Sequence, residues 1–308
     1  MIGELDPSKP IGLVGAGQYR FQFLSELPNV AFMKKIKIKE TFLAGFLVGL
    51  LALLWAEGAI AADMVAHKAF YSMKLGAVRA GSGFIGARGN MGLSMERTCD
   101  GWTMSQTLRM DLSTPDGGEI EQDLRFTAWE SDDGVRYRFF ASNNVNGERE
   151  DFRGRALKNS TLGTGNANFK IPEGKKIPLP EGTMFPLGHT IWLIDKALAG
   201  ERQVSVVVFD GADGEGPQQV TAFIGQKLKS GDHVSEKRIK ALGPLSERPG
   251  WNIRMGFFEL DTQQSAPDYE VEVLQLDNGV TPMLTLDYQD FTVILTLESL
   301  EEIPLPKC

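Results

Sequence analysis

Short stretches in which apolar and polar residues alternate run along most of this chain, and they constrain its fold more than any other feature. They recur at intervals of roughly 10–15 residues and are bounded by Gly, Asn and Asp. Alternation with a period of two is typical of strands with one buried face. We therefore predict a mainly β protein with roughly 12 to 14 strands in one consecutive antiparallel series.

The predicted strands share this alternation and end at turn residues. They are Val65–Leu75, Gly89–Cys99, Trp102–Leu112, Glu119–Trp129, Val135–Ser142, Phe152–Leu157, Gln203–Phe209, Gln219–Lys227, Asn252–Leu260, Asp268–Gln275, Met283–Tyr288 and Phe291–Leu297. Asp100-Gly101 predicts a two-residue hairpin between two of them. One helix is predicted over Thr190–Ala199, after a Pro-rich crossing at 172–186.

A series of this length favours a sheet that curls around a single core. We predict one domain over residues 62–308 on this basis. The alternative is two stacked β-sandwiches divided in the Pro-rich crossing.

Residues 33–61 have the pattern of a secretory signal peptide. Met33 opens a basic stretch, and Phe42–Trp55 is apolar and uncharged. This run is shorter than the roughly 20 residues that a bilayer span needs. Ala59-Ile60-Ala61 supplies the small-x-small cleavage pattern. An uncleaved membrane anchor is the alternative.

We expect cleavage near Ala61/Ala62, release into the periplasm and no stable membrane insertion afterwards. Residues 1–32 precede the basic stretch and are interpreted as an upstream extension, with Met33 as the true start. Segment 1–61 holds six of the 32 Lys and Arg and five of the 40 Asp and Glu, so the mature chain has a net charge of −9. This charge argues against binding to nucleic acid or to an anionic membrane surface.

Cys99 and Cys308 are the only cysteines of the chain. Disulfides persist in exported proteins, so the pair is a candidate structural bond rather than two free thiols. Such a bond would pin the C-terminal tail across the early strands and close an otherwise open sheet.

The sequence contains no strong motif for a catalytic, metal-binding or cofactor-binding site. His67, His189 and His233 lack the spacing of metal ligands. No G-x-S-x-G pattern is present, although a Ser–His–Asp site assembled in space stays open as an alternative. Gly81–Gly86 fits G-x-G-x-x-G only formally, and we interpret it as a turn. We predict no catalytic, cofactor-binding or metal-binding residues.

Acidic and aromatic residues allow binding interpretations as well as structural ones. Asp210–Glu215 has the acidity of a calcium loop without its ligand order, so we predict a solvated hairpin turn. Tryptophans could line an aromatic cavity, but core packing is the favoured interpretation for each. These residues are Trp102, Trp129, Trp192 and Trp251.

Several short motifs, taken in order, resemble the EipB family of alphaproteobacterial envelope-integrity proteins, formerly catalogued as a domain of unknown function. The resemblance covers nearly the whole mature chain. The motifs are Cys99-Asp100-Gly101-Trp102, Leu179–Pro186 leading into His189-Thr190, Phe209-Asp210-Gly211, Phe257–Leu260, Leu286–Phe291 and the terminal Cys308.

The resemblance implies a spiral, broken-barrel-like antiparallel sheet with one main helix and a disulfide between Cys99 and Cys308. It also implies a role in envelope integrity in the periplasm, with a periplasmic tetratricopeptide-repeat protein as a possible partner. It supplies no catalytic residues. We therefore expect a non-enzymatic protein that binds a partner protein, peptide or envelope ligand on a concave β surface. A lipid or lipoprotein carrier and an envelope-acting hydrolase are the alternatives.

Overall fold

The computed structural model describes residues 63–229, 231, 235–260 and 264–308. These residues are mostly β, as predicted, with fourteen strands and two α-helices. The predicted upstream extension at 1–32, the signal peptide at 33–61 and His233 lie outside the described residues. No helix within the described part of the chain is long and apolar enough to cross a membrane.

All fourteen strands belong to one sheet. They are β1 His67–Val78, β2 Gly86–Arg97, β3 Gly101–Ser113, β4 Glu119–Ser131, β5 Arg136–Val145, β6 Glu148–Lys158, β7 Gly165–Ile171, β8 Lys176–Leu179, β9 Gln203–Val208, β10 Gln218–Ile224, β11 Gly250–Glu259, β12 Tyr269–Leu276, β13 Met283–Asp287 and β14 Phe291–Glu302. The helices are α1 Pro186–Leu198 and α2 Glu236–Leu242, followed by a 3-10 turn, Gly243–Glu247.

The sheet is antiparallel throughout, in the order β8-β7-β6-β5-β4-β3-β2-β1-β14-β13-β12-β11-β10-β9. The first and last strands pair at its centre, so the edges come from the middle of the chain. The sheet does not close, because β8 and β9 are not paired. Met184 spans part of this gap: its N–H donates to Val207 O (2.8 Å) and its carbonyl accepts from Phe209 N (2.9 Å).

Alternation along each strand divides the two faces of the sheet. In β5, Tyr137, Phe139 and Ala141 are buried in the main core, whereas Arg136 and Arg138 are exposed on the opposite face. In this part of the sheet one face packs on the main apolar core and the other points outward.

Helix α1 begins at Pro186, four residues before the predicted start at Thr190. Proline is favoured in the first turn of a helix, where its missing N–H is not needed. The helix buries Leu193 and Ala197 in a second core cluster with residues of β9–β11. The Pro-rich segment is therefore partly the start of this helix.

The sequence interpretation missed β7, β8 and α2, and placed a crossing where β8 lies. Proline inside β8 is tolerated because β8 is an edge strand, with one side free of ladder hydrogen bonds. The alternative of two β-sandwiches is wrong, since strands on both sides of the crossing belong to the same sheet.

The two cysteines lie at disulfide distance, with Cα atoms 5.6 Å apart. Cys99 is in the turn between β2 and β3, and Cys308 follows β14. The pair therefore spans the end of β1, which lies between β2 and β14. The expectation that this bond closes the sheet is wrong, because the open edges are β8 and β9 and neither carries a cysteine.

Candidate functional site

A groove of about 400 Å³ lies on the face of β3–β7 that points away from the main core. We call it the arginine groove. Its side chains are two hydroxyls, two aromatic rings and four cations: Thr103, Thr127, Trp129, Phe140, Arg138, Arg153, Arg155 and Lys170.

Strand register brings these cations together. Arg138 of β5 lies directly opposite Arg155 of β6, and Phe140 lies opposite Arg153. Trp129 of β4 is opposite Arg138 on its other side. Residues two apart on a strand share a face, so Arg153 and Arg155 are neighbours on the groove side.

The four cations lack acidic partners. Within the described part of the chain, no carboxylate lies within 4.0 Å of Arg138, Arg153, Arg155 or Lys170. The Arg138 guanidinium instead lies 5.0 Å from the ring centroid of Trp129, and Arg136 covers the same ring at 5.3 Å. Like charges directly opposite each other on neighbouring strands are destabilising, so this cluster favours an external anion.

A second cavity, of about 200 Å³, lies beside the start of α1. We call it the helix-start cavity. Glu130 of β4 lines it and is 5% exposed. Its carboxylate accepts hydrogen bonds from Leu187 N (2.9 Å) and Gly188 N (3.0 Å). The N-terminus of α1 is thus capped by a side chain from the sheet, which also suits the helix dipole.

Lys158 lies in the same cavity and is buried. Its ammonium donates to the carbonyls of Thr161 and Thr183, both at 2.6 Å. Burial lowers the pKa of Lys158, with Glu130 and Asp133 opposing that shift. Burial raises the pKa of Glu130 to about 7, although the two N–H donors and Lys158 favour the carboxylate. Glu130 couples the first turn of α1 to its own ionisation, through its hydrogen bonds from Leu187 N and Gly188 N.

The acidic loop Asp210–Glu215 connects β9 and β10, as predicted for a hairpin turn. The expectation that it is solvated holds for Glu215, which is exposed, but not for Gly211 and Gly214, which are buried, and Asp210 and Asp213 are half-buried. Burial raises the pKa of Asp210, and burial beside Asp210 raises that of Asp213 to about 8. Asp210 accepts from Ala212 N and Asp213 from Glu215 N, so their oxygens stabilise the turn. Among the described residues, no set of three or more metal-binding side chains converges.

The described histidines are far from hydrolase geometry. His67 donates through Nδ1 to Val65 O at 2.8 Å, and burial lowers its pKa. His189 is buried in α1, where its pKa falls to about 4. In the described chain, no hydrogen bond joins either ring to a serine hydroxyl or a carboxylate. The structure does not bring these two residues together into a site.

The tryptophans divide between core and surface sites. Trp251 is 2% exposed and belongs to the core cluster under α1, where Trp192 also packs, as the core interpretation expected. Trp102 lines the helix-start cavity and Trp129 the arginine groove. For these two, the core interpretation is wrong.

Glu130, Lys158 and the groove cations were not predicted from the sequence. A signal for the groove is present in the sequence: Arg136-x-Arg138 in one predicted strand and Arg153-x-Arg155 in the next. The period of two places both pairs on one face. No comparable signal marks Glu130 and Lys158, because their partners come from distant segments.

Comparison with known proteins identifies relatives of similar extent. The curated cell envelope integrity protein EipB of Brucella abortus (strain 2308) is 28% identical over 242 residues, covering 77% of this chain and 84% of that protein. A crystal structure of a beta-barrel-like protein of a domain of unknown function, DUF1849, also from Brucella abortus, superposes with a TM-score of 0.72 at 25% identity. That match covers 79% of this chain and all of the other.

The family comparison agrees with these relatives and with the fold. The sequence profile of the EipB-like family matches residues 58–304, which include every strand and helix of the described structure. The matched span includes Cys99 and both cavities. This chain belongs to the EipB-like family.

Proposed function

We propose that this protein is exported to the periplasm and supports the integrity of the cell envelope there without catalysing a reaction. It does so by holding an envelope ligand or partner in the arginine groove. The observation that carries this proposal is that the cations of the groove have no carboxylate within 4.0 Å among the described residues. Family membership and the name of the Brucella relative support the envelope role.

The character of the groove favours binding over lipid carriage. A carrier needs a continuous apolar lining, whereas this groove combines four cations with two threonines. Addition of a partner strand to the sheet edges is disfavoured too. Pro178 removes a donor from β8, and Met184 already occupies the end of β9. A side-chain surface is therefore the better binding site.

Deletion of the gene in its native host tests the envelope role. We expect the deletion strain to lose survival in detergent or a β-lactam, and the wild-type gene to restore it. A double variant, R138A with R155A, should restore survival poorly at equal protein level. Arg88 of β2 is exposed and paired with Asp111 of β3, so R88A is the matched control and should complement fully. Unchanged survival of the deletion strain would contradict the proposal.

Export is tested separately. N-terminal sequencing of protein from the periplasmic fraction should give a start at Ala62 or Asp63. Recovery of the whole chain in the membrane or cytoplasm would contradict cleavage. A periplasmic tetratricopeptide-repeat protein is our proposed partner, and crosslinking in the periplasm through the groove face is the measurement that checks it.

A further inference from the structure

We infer that the arginine groove binds a ligand that carries two phosphate groups. This inference deepens the proposed function and rests on it, since it assigns the chemical class of the ligand for the same site. The arrangement of the four cations restricts the chemistry of the ligand more than their total charge does.

The cations form two pairs. Arg138 and Arg155 are directly opposite on β5 and β6. Arg153 lies two residues from Arg155 on β6 and pairs with Ile171 of β7. Lys170 precedes Ile171, so it lies next to Arg153. Two residues along a strand correspond to about 7 Å. The groove therefore offers two anion positions about that far apart.

Two cations at each position favour phosphate over carboxylate. One guanidinium fork already occupies both oxygens of a carboxylate. A phosphate group has a third oxygen and up to two negative charges, so it accepts from two cationic side chains at once. Phosphate thus fits a paired cation site that a carboxylate would leave partly unfilled.

The rest of the groove suits an organic phosphate. Thr103 and Thr127 add hydroxyl donors, and Phe140, directly opposite Arg153, adds an apolar surface beside the second anion position. Ile171 is 42% exposed and Leu157 59% exposed on the same face of the sheet. Such apolar neighbours accommodate the sugar or acyl part of a phosphorylated ligand, whether it is soluble or anchored in a membrane.

Binding to two probes distinguishes these sources. Calorimetry with tripolyphosphate tests soluble phosphate, and flotation with phosphatidylcholine vesicles with or without cardiolipin, whose headgroup carries two phosphates, tests a lipid headgroup. We expect at least one phosphate probe to bind wild-type protein and to bind less at high salt. Binding to tripolyphosphate indicates a soluble source, and binding only to cardiolipin-containing vesicles indicates a headgroup.

Charge reversal locates the site. The double variant R138E/R155E should weaken binding by at least about tenfold, or about 1.4 kcal/mol, because two charged hydrogen-bond donors are replaced by groups that repel the anion. R88E changes charge on the same sheet outside the groove and should bind like wild type. Circular dichroism confirms that each variant folds.

Failure of both probes, or equal binding by R138E/R155E and wild type, would overturn the phosphate assignment. Neither result would contradict the proposed envelope role, which is tested by survival of the deletion strain. Conversely, phosphate binding by a protein whose deletion has no phenotype would uphold this inference and refute the proposed function.

Discussion

Glu130 is a residue whose ionisation the fold changes strongly. It is buried under the first turn of α1, and its pKa rises from 4.5 to about 7 because burial disfavours the carboxylate. The folded state therefore holds this proton more tightly than the unfolded state. The resulting stability is complete below pH 4.5 and is lost as the pH rises through 7.

We predict that Glu130→Gln changes the pH dependence of stability. Glutamine resembles the protonated acid, so the variant lacks the loss that wild type suffers on ionisation. Relative to wild type, its free energy of unfolding should rise by up to about 3 kcal/mol between pH 4.5 and 8. Urea unfolding at a series of pH values measures this difference.

Glu121→Gln is the matched control for that experiment. Glu121 lies on the same strand, but its side chain is exposed. Its carboxylate lies 4.0 Å from the Arg109 guanidinium. Its unfolding free energy should follow that of wild type across the pH range. Parallel profiles for Glu130→Gln and wild type would contradict the assigned role of Glu130.

Gly211 shows how a single backbone position can be fixed by packing. It has φ +72°, and a Cβ there would lie 2.6 Å from the Phe139 ring. Gly174 has a similar φ of +77° but nothing within 4 Å of its virtual Cβ. The two positions separate backbone strain from steric overlap.

We predict that Gly211→Ala destabilises the protein by about 2–5 kcal/mol, through left-handed strain together with overpacking. Gly174→Ala should cost only the strain, about 1–2 kcal/mol. Thermal unfolding of both variants checks the difference. Equal losses would show that Phe139 moves aside without cost.

At the scale of elements, α1 connects an interior strand of the sheet, β4, to the edge strand β9 and its neighbours. Its N-terminus is held by Glu130 of β4, and its later turns pack on β9–β11 through Leu193 and Ala197. The chain before it stacks Phe185 on Tyr137, with ring centroids 4.6 Å apart. The helix thus fixes β9, which has a neighbouring strand on one side only.

We predict that Leu193→Ala lowers the free energy of unfolding by about 2–5 kcal/mol, the cost of a buried cavity. Amide hydrogen exchange should accelerate in α1 and β9 more than in β1–β4. Leu305→Ala removes the same atoms from a side chain that is 67% exposed, and should change stability little. Uniform exchange along all strands would contradict the local role of α1.

At the scale of the whole molecule, the sheet is organised from its centre outward. β1 and β14 pair at the middle, and the tail beyond β14 returns past β1 to Cys99. Ile303 N donates to Ala66 O at 2.8 Å, so the tail is also held by backbone. The cysteine pair therefore secures the terminal strands rather than the open edges.

We predict that Cys99→Ser or Cys308→Ser folds but melts at a lower temperature and is cleaved faster by proteases near the C-terminus. The chain-entropy estimate for a loop of 209 residues is on the order of 5 kcal/mol, an upper value. Reductant should lower the melting temperature of wild type and leave that of either variant unchanged. Equal melting of wild type with and without reductant would contradict the structural role.

The sequence predicted most strands because burial of one face leaves a period of two. It failed in the Pro-rich crossing, where the edge position of β8 removes the penalty that proline carries inside a sheet. The groove was partly visible as Arg136-x-Arg138 and Arg153-x-Arg155. The net charge of the chain gave no indication of the groove, because a sum of all charges does not say where the cations lie.

Alternation, turn residues and the cysteine count thus determined the β class and the candidate pair from local pattern alone. Register and topology decided the rest. Only strand pairing places Arg138 against Arg155, and only the packing of α1 buries Glu130. The physical reason is distance along the chain: partners that meet through the fold leave no periodic trace in the sequence, whereas neighbours on one strand do.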